Sequence, residues 1–481
     1  MYIRAGDDFS ENTRYDIVID SISDLCDNES KRLQQSFWYY IPKSGDVVIN
    51  EIMTDPNPVV GLPDYEFIEL VNTSEYPVSL NTWKLTISSN HKQLPDVCVN
   101  PGEYIIMCDD DAKEFFRGYG HTMLIPGMPS LPNNQSLIIL QDSTDQVISF
   151  VEYESDWHYP SYKSGGGWSL ERIDYTNLSS SNRNWVSSSN NQGGTPGQKN
   201  SVYSDNPDLD NPEIENVFPV TNNTLKVDFN EPLTSESIKK PGNFLLEPNI
   251  QIDDISPEDM LNTSFFLRYK NDFIRNQMYT LRINTITDRN GNSAKNAQAR
   301  FALPDTVNYN DVIINEIMFN PLPGGTDFVE IYNRSSKIVD IAYLQLANKD
   351  EQGEIRDSYR ISVDGTLMFP GDFIVLSENS EQLNNSRQLQ DDIKTHEPDG
   401  FPSFPDDEGH VVLMNLSGQI IDEFSYNKDM HHELLQMDEG SSGGYDEPDQ
   451  DIPNFNLQEI IYQMEVIGNN YLKNINEKLA V

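Results

Sequence analysis

The amino-acid sequence predicts an all-β chain of serial antiparallel sandwiches, and three observations carry that prediction. Short runs rich in β-branched and aromatic residues recur between clusters of Pro, Gly, Asn, Asp and Ser. Helical periodicity is nearly absent ahead of residue 457. A long stretch of the chain also occurs twice, and 481 residues exceed what one hydrophobic core serves, so roughly three domains are expected.

The repeat orders the elements. Gly45-Asp46-Val47-Val48-Ile49-Asn50-Glu51-Ile52-Met53 returns as Asn310-Asp311-Val312-Ile313-Ile314-Asn315-Glu316-Ile317-Met318. Phe67 to Asn72 returns as Phe328 to Asn333, Pro101 to Ile106 as Pro370 to Val375, and Val147 to Tyr153 as Ile420 to Tyr426. Four blocks in one order, with loops drifting between them, mean a duplicated domain. Strands are predicted over Val47–Met53, Tyr65–Val71, Tyr104–Met107, Leu137–Leu140 and Phe373–Leu376.

A second repeat lies upstream. Tyr15 to Asp24 reads like Tyr279 to Asp288, so residues 1–44 are expected to be the last strands of a domain whose complete version spans 204–305. Two strands cannot bury a sandwich core; the expectation is therefore a chain that begins inside a longer polypeptide, or one whose start was assigned wrongly. The first thirty residues lack the basic start and apolar stretch of a signal peptide, which alone argues for a cytosolic protein, but that argument weakens once the start is internal. No apolar run approaches the ~20 residues of a membrane helix, so no transmembrane segment is predicted.

Ser204-Asp205-Asn206-Pro207-Asp208-Leu209-Asp210-Asn211-Pro212 is a linker, because its two Asn-Pro steps disfavour helix. After Tyr153 the first copy runs on through Asp156-Trp157-His158 to Gly165-Gly166-Gly167-Trp168-Ser169-Leu170-Glu171-Arg172. The second keeps Asp429, Met430 and His431, reaches Glu439-Gly440 and loses the match. Residues 441–454 read as a flexible acidic linker. Leu457, Ile460, Ile461, Met464, Ile467, Tyr471, Leu472 and Ile475 form a helix-like stripe, either a short helix on the preceding domain or a stretch foreign to it.

The blocks opening at Asp46 and Phe67, with Trp83-Lys84-Leu85, Pro101-Gly102-Glu103-Tyr104 and Gly167 to Arg172, resemble the lamin tail domain, above all its bacterial branch in large surface and secreted proteins. Leu225 to Leu233, Tyr279 to Asp288 and the following Gly291-Asn292 resemble bacterial immunoglobulin-like modules of surface-layer type. In the upstream remnant the corresponding turn, Asp24-Leu25-Cys26-Asp27-Asn28, has lost its glycine. The resemblance implies serial immunoglobulin-like β-sandwiches in this order: an immunoglobulin-like remnant over 1–44, a lamin tail domain over 45–203, an immunoglobulin-like domain over 204–305, a second lamin tail domain over 306–440 without its last block, and the linker with its helical tail over 441–481. It also implies an extracellular or cell-surface location. The expected function is non-catalytic, structural or adhesive, with proteins or surface polymers as partners; the alternative is an accessory region of a larger secreted hydrolase. A nuclear scaffold is disfavoured, since no long heptad rod is present.

The 77 acidic residues against 33 basic ones give a formal charge of −44. That field repels phosphate backbones and excludes nucleic acid as an expected partner; it suits solubility, polyvalent cations or basic partners. Cys26, Cys98 and Cys108 form no disulfide framework. The Asn100-Pro101-Gly102 turn would set Cys98 opposite residue ~105 in a hairpin, not opposite Cys108.

Strand alternation places Glu51 with Ile49 and Met53, and Glu69 with Phe67 and Val71; Glu316 and Glu330 repeat the arrangement. The functional reading is a paired-carboxylate or metal site; the structural reading, preferred here, is carboxylates accepting backbone N–H bonds. Asp205, Asp208 and Asp210 are calcium candidates, since hard oxygen ligands along an interdomain loop suit that ion, while an acidic solvated linker explains the same residues. Asp109-Asp110-Asp111 and Asp406-Asp407-Glu408 read as surface loops. His431 and His432 point to opposite faces if on a strand; His158 and His431 occupy matching positions with Asp156 and Asp429, and such a loop histidine reads as a hydrogen-bonded structural group and not as a base. No catalytic motif occurs, so no catalytic residue and no organic cofactor are predicted.

Overall fold

The structure is a computed structural model and describes residues 7–26, 28–321, 325–380, 382–383 and 394–427. The expected acidic linker and tail, with Asp429, Met430, His431 and His432, lie outside the described residues.

Three sandwich cores follow one another. In the first, a six-stranded sheet runs in the order His121–Leu124, Tyr104–Cys108, Phe67–Asn72, Val47–Met53, Leu170–Arg172, Trp185–Ser187. It faces a four-stranded sheet ordered Val147–Glu154, Gln135–Gln141, Lys84–Ile87, Asn90–Gln93. Inward side chains such as Val47, Ile49, Ile52, Leu70, Leu85, Ile138, Val151 and Trp185 fill the space between them. The middle sandwich sets the sheet Ile214–Pro219, Thr224–Phe229, Ser264–Tyr269, Ile252–Pro257 against Phe244–Glu247, Tyr279–Thr287, Ser293–Phe301. Val227, Phe229, Phe265, Leu267, Leu281 and Ile283 lie between them. The third repeats the first: Val312–Met318, Phe328–Asn333, Phe373–Ser377 and Lys394–His396 face Ile355–Arg360, Leu344–Lys349, Glu408–Asn415 and Ile420–Asn427. All-β sandwiches in series are therefore what the chain forms.

The repeat is repeated in chemistry as well as in shape. Asn72 Nδ2 donates to the carbonyls of Tyr76 and Val99, each at 2.8 Å. Asn333 Nδ2 donates to those of Lys337 and Met368 at 2.9 and 3.0 Å. A buried amide thus ties each strand end to the loop beyond it, where an apolar residue would leave carbonyls unpaired.

Three details differ from the sequence reading. Pairing is not wholly antiparallel: His121–Leu124 lies parallel to Tyr104–Cys108, and Lys394–His396 parallel to Phe373–Ser377. A parallel neighbour needs a crossover, and in the first copy the short helical turns Asp110–Ala112 and Lys113–Phe116 supply it. Cys98 does not face residue 105; Cys98–Val99 pairs with Val78–Ser79, because the chain leaves this small ribbon at Asn100 and joins the large sheet at Tyr104. All three cysteines are free. Finally, the register of Val47–Met53 slips between Ile49 and Glu51. This bulge at Asn50 turns Glu51 away from Ile49 and onto the outer face, and Val312–Met318 slips in the same place.

The Gly165-Gly166-Gly167 run has a steric cause. Gly166 has φ +101° and Gly167 φ +78°; a Cβ there would lie 1.7 Å from the Asn57 carbonyl oxygen and 2.2 Å from that of Pro58. Gly166→Ala is expected to destabilise the first unit by about 2–3 kcal/mol through both backbone strain and overlap. A thermal-melt shift below 1 °C would show that the loop simply moves aside.

Candidate functional site

The joint between the first and middle sandwiches is built by a linker and a turn. The Asn-Pro steps keep residues 204–212 extended. Asn206 fastens the linker to the first unit: its backbone N–H donates to Asp174 Oδ2 (2.9 Å) and its Nδ2 to the Arg183 carbonyl (2.8 Å). From the other side comes the turn after Tyr279–Thr287. Arg289 Nη1 reaches the Ser44 hydroxyl and the Val147 carbonyl, both at 3.2 Å. Asn290 Nδ2 donates to the Thr176 carbonyl (3.1 Å), and its Oδ1 accepts the Leu178 N–H (3.1 Å). Asn292 Nδ2 donates to the Asp208 carbonyl (3.2 Å).

Three carboxylates meet there: Asp208 from the linker, Glu231 from the turn after Thr224–Phe229, and Asp288 at the head of the fastening turn. Each offers an oxygen within 4.8 Å of the others. Asp288 is buried and satisfied, accepting the N–H groups of Asn290 (2.9 Å) and Asn292 (2.8 Å) and Asn292 Nδ2 (2.8 Å). The other two are not: Asp208 Oδ2 and Glu231 Oε1 are buried without a hydrogen-bond partner. Burial, then the charges of Asp288, Asp208 and Asp210, push the Glu231 carboxyl up to about 8. Burial, then the charges of Asp288 and Asp210, raise Asp208 as well, against the Asp210 N–H bond and the Arg183 charge. Orphaned acceptors among like charges call for a proton or a cation, and an all-oxygen donor set suits a hard cation such as calcium.

Of the linker candidates, only Asp208 enters this cluster. Asp205 is exposed, and Asp210 turns outward to Arg183, 2.5 Å from its Nη1. Glu231 and Asp288 escaped the sequence reading because their approach is a product of the fold. Asp288 does open the Asp-x-x-Gly-Asn turn that marks the domain type, and that was the signal available.

A second group of acids lies on the outer face of the first large sheet. Glu69, Glu51 and Glu171 sit side by side across three neighbouring strands, all wholly buried. The loop over residues 188–203 caps them. Glu51 accepts Ser169 Oγ (2.6 Å), the Thr195 N–H (2.8 Å) and Thr195 Oγ1 (3.3 Å). Glu69 accepts Asn50 Nδ2 (2.9 Å) and the Gly197 N–H. Glu171 accepts Thr195 Oγ1 (2.9 Å), Ser201 Oγ (2.8 Å) and the Val202 N–H (3.1 Å). These bonds tie the loop down, as the structural reading of Glu51 and Glu69 expects. In the second copy Glu316 pairs in register with Glu330, and Glu330 accepts Asn315 Nδ2 (2.6 Å).

The remaining candidates fall on the surface or in structural roles. Asp110 and Asp111 are exposed beside Asp109, which caps a short helical turn. Asp406, Asp407 and Glu408 are exposed. His158 is buried 2.8 Å from Ser187 Oγ, and burial, then the Lys163 charge, pushes its ring down to about 4, so it stays neutral; Asp156 is exposed and apart from it.

The fold and the repeat define a class, multidomain β-sandwich proteins with a duplicated unit. The duplicated unit is the lamin tail domain: the family model of that description matches residues 41–155 and 306–428, and the chain carries two copies of it. The first match ends at residue 155, so Leu170–Arg172 and Trp185–Ser187 extend the matched sheet beyond it. Among solved structures, the chain is similar to the N-terminal part of the bacterial S-layer protein SbsC (14% identity, 33% of this chain and 44% of that one, TM-score 0.18). It is similar also to the S-layer protein rSbsC(31-844) (13%, 35% and 32%, 0.18) and to domains 1-6 of SbsC (12%, 45% and 40%, 0.19). The chain thus spans less than half the length of each. No curated protein sequence matches it. Among the described residues no helix is long and apolar enough to cross a membrane.

Proposed function

We propose that this chain is a non-catalytic structural or adhesive module of the cell surface or extracellular space, presenting serial sandwiches to protein or surface-polymer partners, and that calcium sets the rigidity of its first joint. One observation carries the reading. Asp208, Glu231 and Asp288 converge where two sandwiches meet, with two buried carboxylate oxygens left unpaired. A cation there would satisfy both oxygens and join the linker and both turns at once, whereas a proton shared between two carboxylates would link a single pair of them.

Thermal unfolding of the whole chain tests it. An ion that binds only the folded state stabilises by about 2.7 kcal/mol at a hundredfold excess over Kd. Millimolar calcium is therefore expected to raise the melting temperature of the first and middle units, and chelator to reverse it. Glu231→Gln should abolish the rise and Asp205→Asn should leave it intact. The rise should also be larger at pH 9 than at pH 6, because calcium must displace the proton that Glu231 holds up to about 8. No shift with calcium or chelator overturns the reading.

A further inference from the structure

The hairpin formed by Thr13–Ile19 and Leu33–Tyr39 is a residue-for-residue counterpart of the Tyr279–Thr287/Ser293–Phe301 hairpin that closes the middle sandwich. Adding 264 to a residue number converts one into the other, register included: Tyr15 opposes Phe37 as Tyr279 opposes Phe301. Both ring pairs stack, at 5.6 and 5.3 Å. The turns agree as well. Asp24 Oδ1 accepts the N–H groups of Cys26 and Asn28, as Asp288 Oδ1 accepts those of Asn290 and Asn292.

The surroundings differ. In the middle sandwich the inward face of the hairpin is covered by the four-stranded sheet, and Leu281, Ile283 and Ile286 are wholly buried. Of their counterparts, Ile17 and Ile22 are 38% and 41% exposed and Ile19 is half-buried, while Leu33 opposite Ile19 is 50% exposed. The same apolar face is thus present and uncovered.

The path into the hairpin indicates what covers it. In the middle sandwich the covering sheet reaches its hairpin through residues 270–278, where Phe273 packs on Tyr279 and Phe301, the Tyr279 hydroxyl accepts the Ile274 N–H (2.8 Å), and Asn276 has φ +60°. Residues 7–12 follow this connection feature by feature: Phe9 packs on Tyr15 and Phe37, the Tyr15 hydroxyl accepts the Ser10 N–H (2.8 Å), and Asn12 has φ +59°. A sheet arriving through such a connection lands on the Ile17 face, as in the middle sandwich.

We infer that this hairpin is a docking surface for the open face of a four-stranded antiparallel sheet of the 213–270 type, entering from the Asp7 side and completing a further immunoglobulin-like sandwich. The sheet in the middle unit of a second copy cannot serve, because its own hairpin already covers it.

The test adds that sheet to the full chain, by inserting a second copy of residues 213–270 directly ahead of Asp7. Backbone amides of Thr13–Ile19 and Leu33–Tyr39 are expected to exchange hydrogen about 100-fold more slowly than in the unmodified chain, because a covered hairpin opens only with its sandwich. Ile17→Lys should cancel the protection. Val18→Lys should not, since its counterpart Arg282 is exposed on the opposite face. Unchanged exchange in the extended chain overturns the inference. So does an unmodified chain that dimerises with its hairpin already protected, which would make a second copy the occupant.

Discussion

Arg172→Met is expected to destabilise the first lamin tail domain by about 3–5 kcal/mol, the cost of stripping a buried charge network of its centre. Arg172 is wholly enclosed, and its guanidinium forks to four carbonyls: Ile49 and Asn177 at 2.8 Å, Phe150 at 3.3 Å and Ser179 at 3.4 Å. Its plane also lies 4.7 Å from the Trp185 ring. Burial pushes the group down to about 9, partly countered by Asp174, so it stays charged at neutral pH. Methionine fills a similar volume but leaves those carbonyls without their donor, and lysine cannot reach them in the same fork. Calorimetry of the whole chain should show the first-unit transition falling by about 10 °C, with the third unit unmoved. A fall of less than 2 °C for Arg172→Met, or full rescue by Arg172→Lys, would show that the fork is dispensable.

The second large effect is a pH dependence that runs opposite to ordinary acid denaturation. Burial, then the charge of neighbouring Glu171, raises the Glu51 carboxyl to about 8, against bonds from Ser169 and Thr195 that pull it down. Burial, then the charge of Glu51, raises Glu69 as well. Between the unfolded value of 4.5 and about 8, the folded domain therefore holds a proton that the unfolded chain has released. Its stabilising effect is complete below 4.5 and is lost as pH rises through about 8, a change on the order of a few kcal/mol. Melting temperatures of the first unit should fall steadily from pH 5 to pH 9. Glu51→Gln, neutral at every pH, should flatten that slope and raise stability at pH 9. A first unit whose melting temperature is level or rises over this range contradicts the account.

How much of this was legible in the sequence depends on the range of the cause. Val47–Met53 reads as a strand from local composition alone and forms one with those bounds. The duplicated blocks place both lamin tail domains because each block carries a strand of the unit, and the Phe67 block recurs with its loop-binding asparagine, Asn72 or Asn333. The face of Glu51 was misread because alternation assumes an unbroken ladder, and one extra residue at Asn50 reverses it. The glycine run ahead of Trp168 was visible as a motif, but its reason, the carbonyls of Asn57 and Pro58, lies a hundred residues away along the chain. The joint shows the same limit. Asp208 stood out in an acidic linker, whereas Glu231 and Asp288 acquire meaning only when two turns of the middle sandwich fold against that linker.

The joint is also where the account is most exposed to a single measurement, a calorimetric titration of the full chain with calcium at pH 7 in two buffers of different ionisation heat. A chain with this acidic surface can collect calcium loosely at many places, so the decisive readings are residue-specific. The account predicts one tight site that releases a proton on binding, seen as a buffer-dependent heat, and loses both the site and the released proton in Glu231→Gln. Binding that is absent, or that keeps its affinity and proton release in Glu231→Gln, would contradict it.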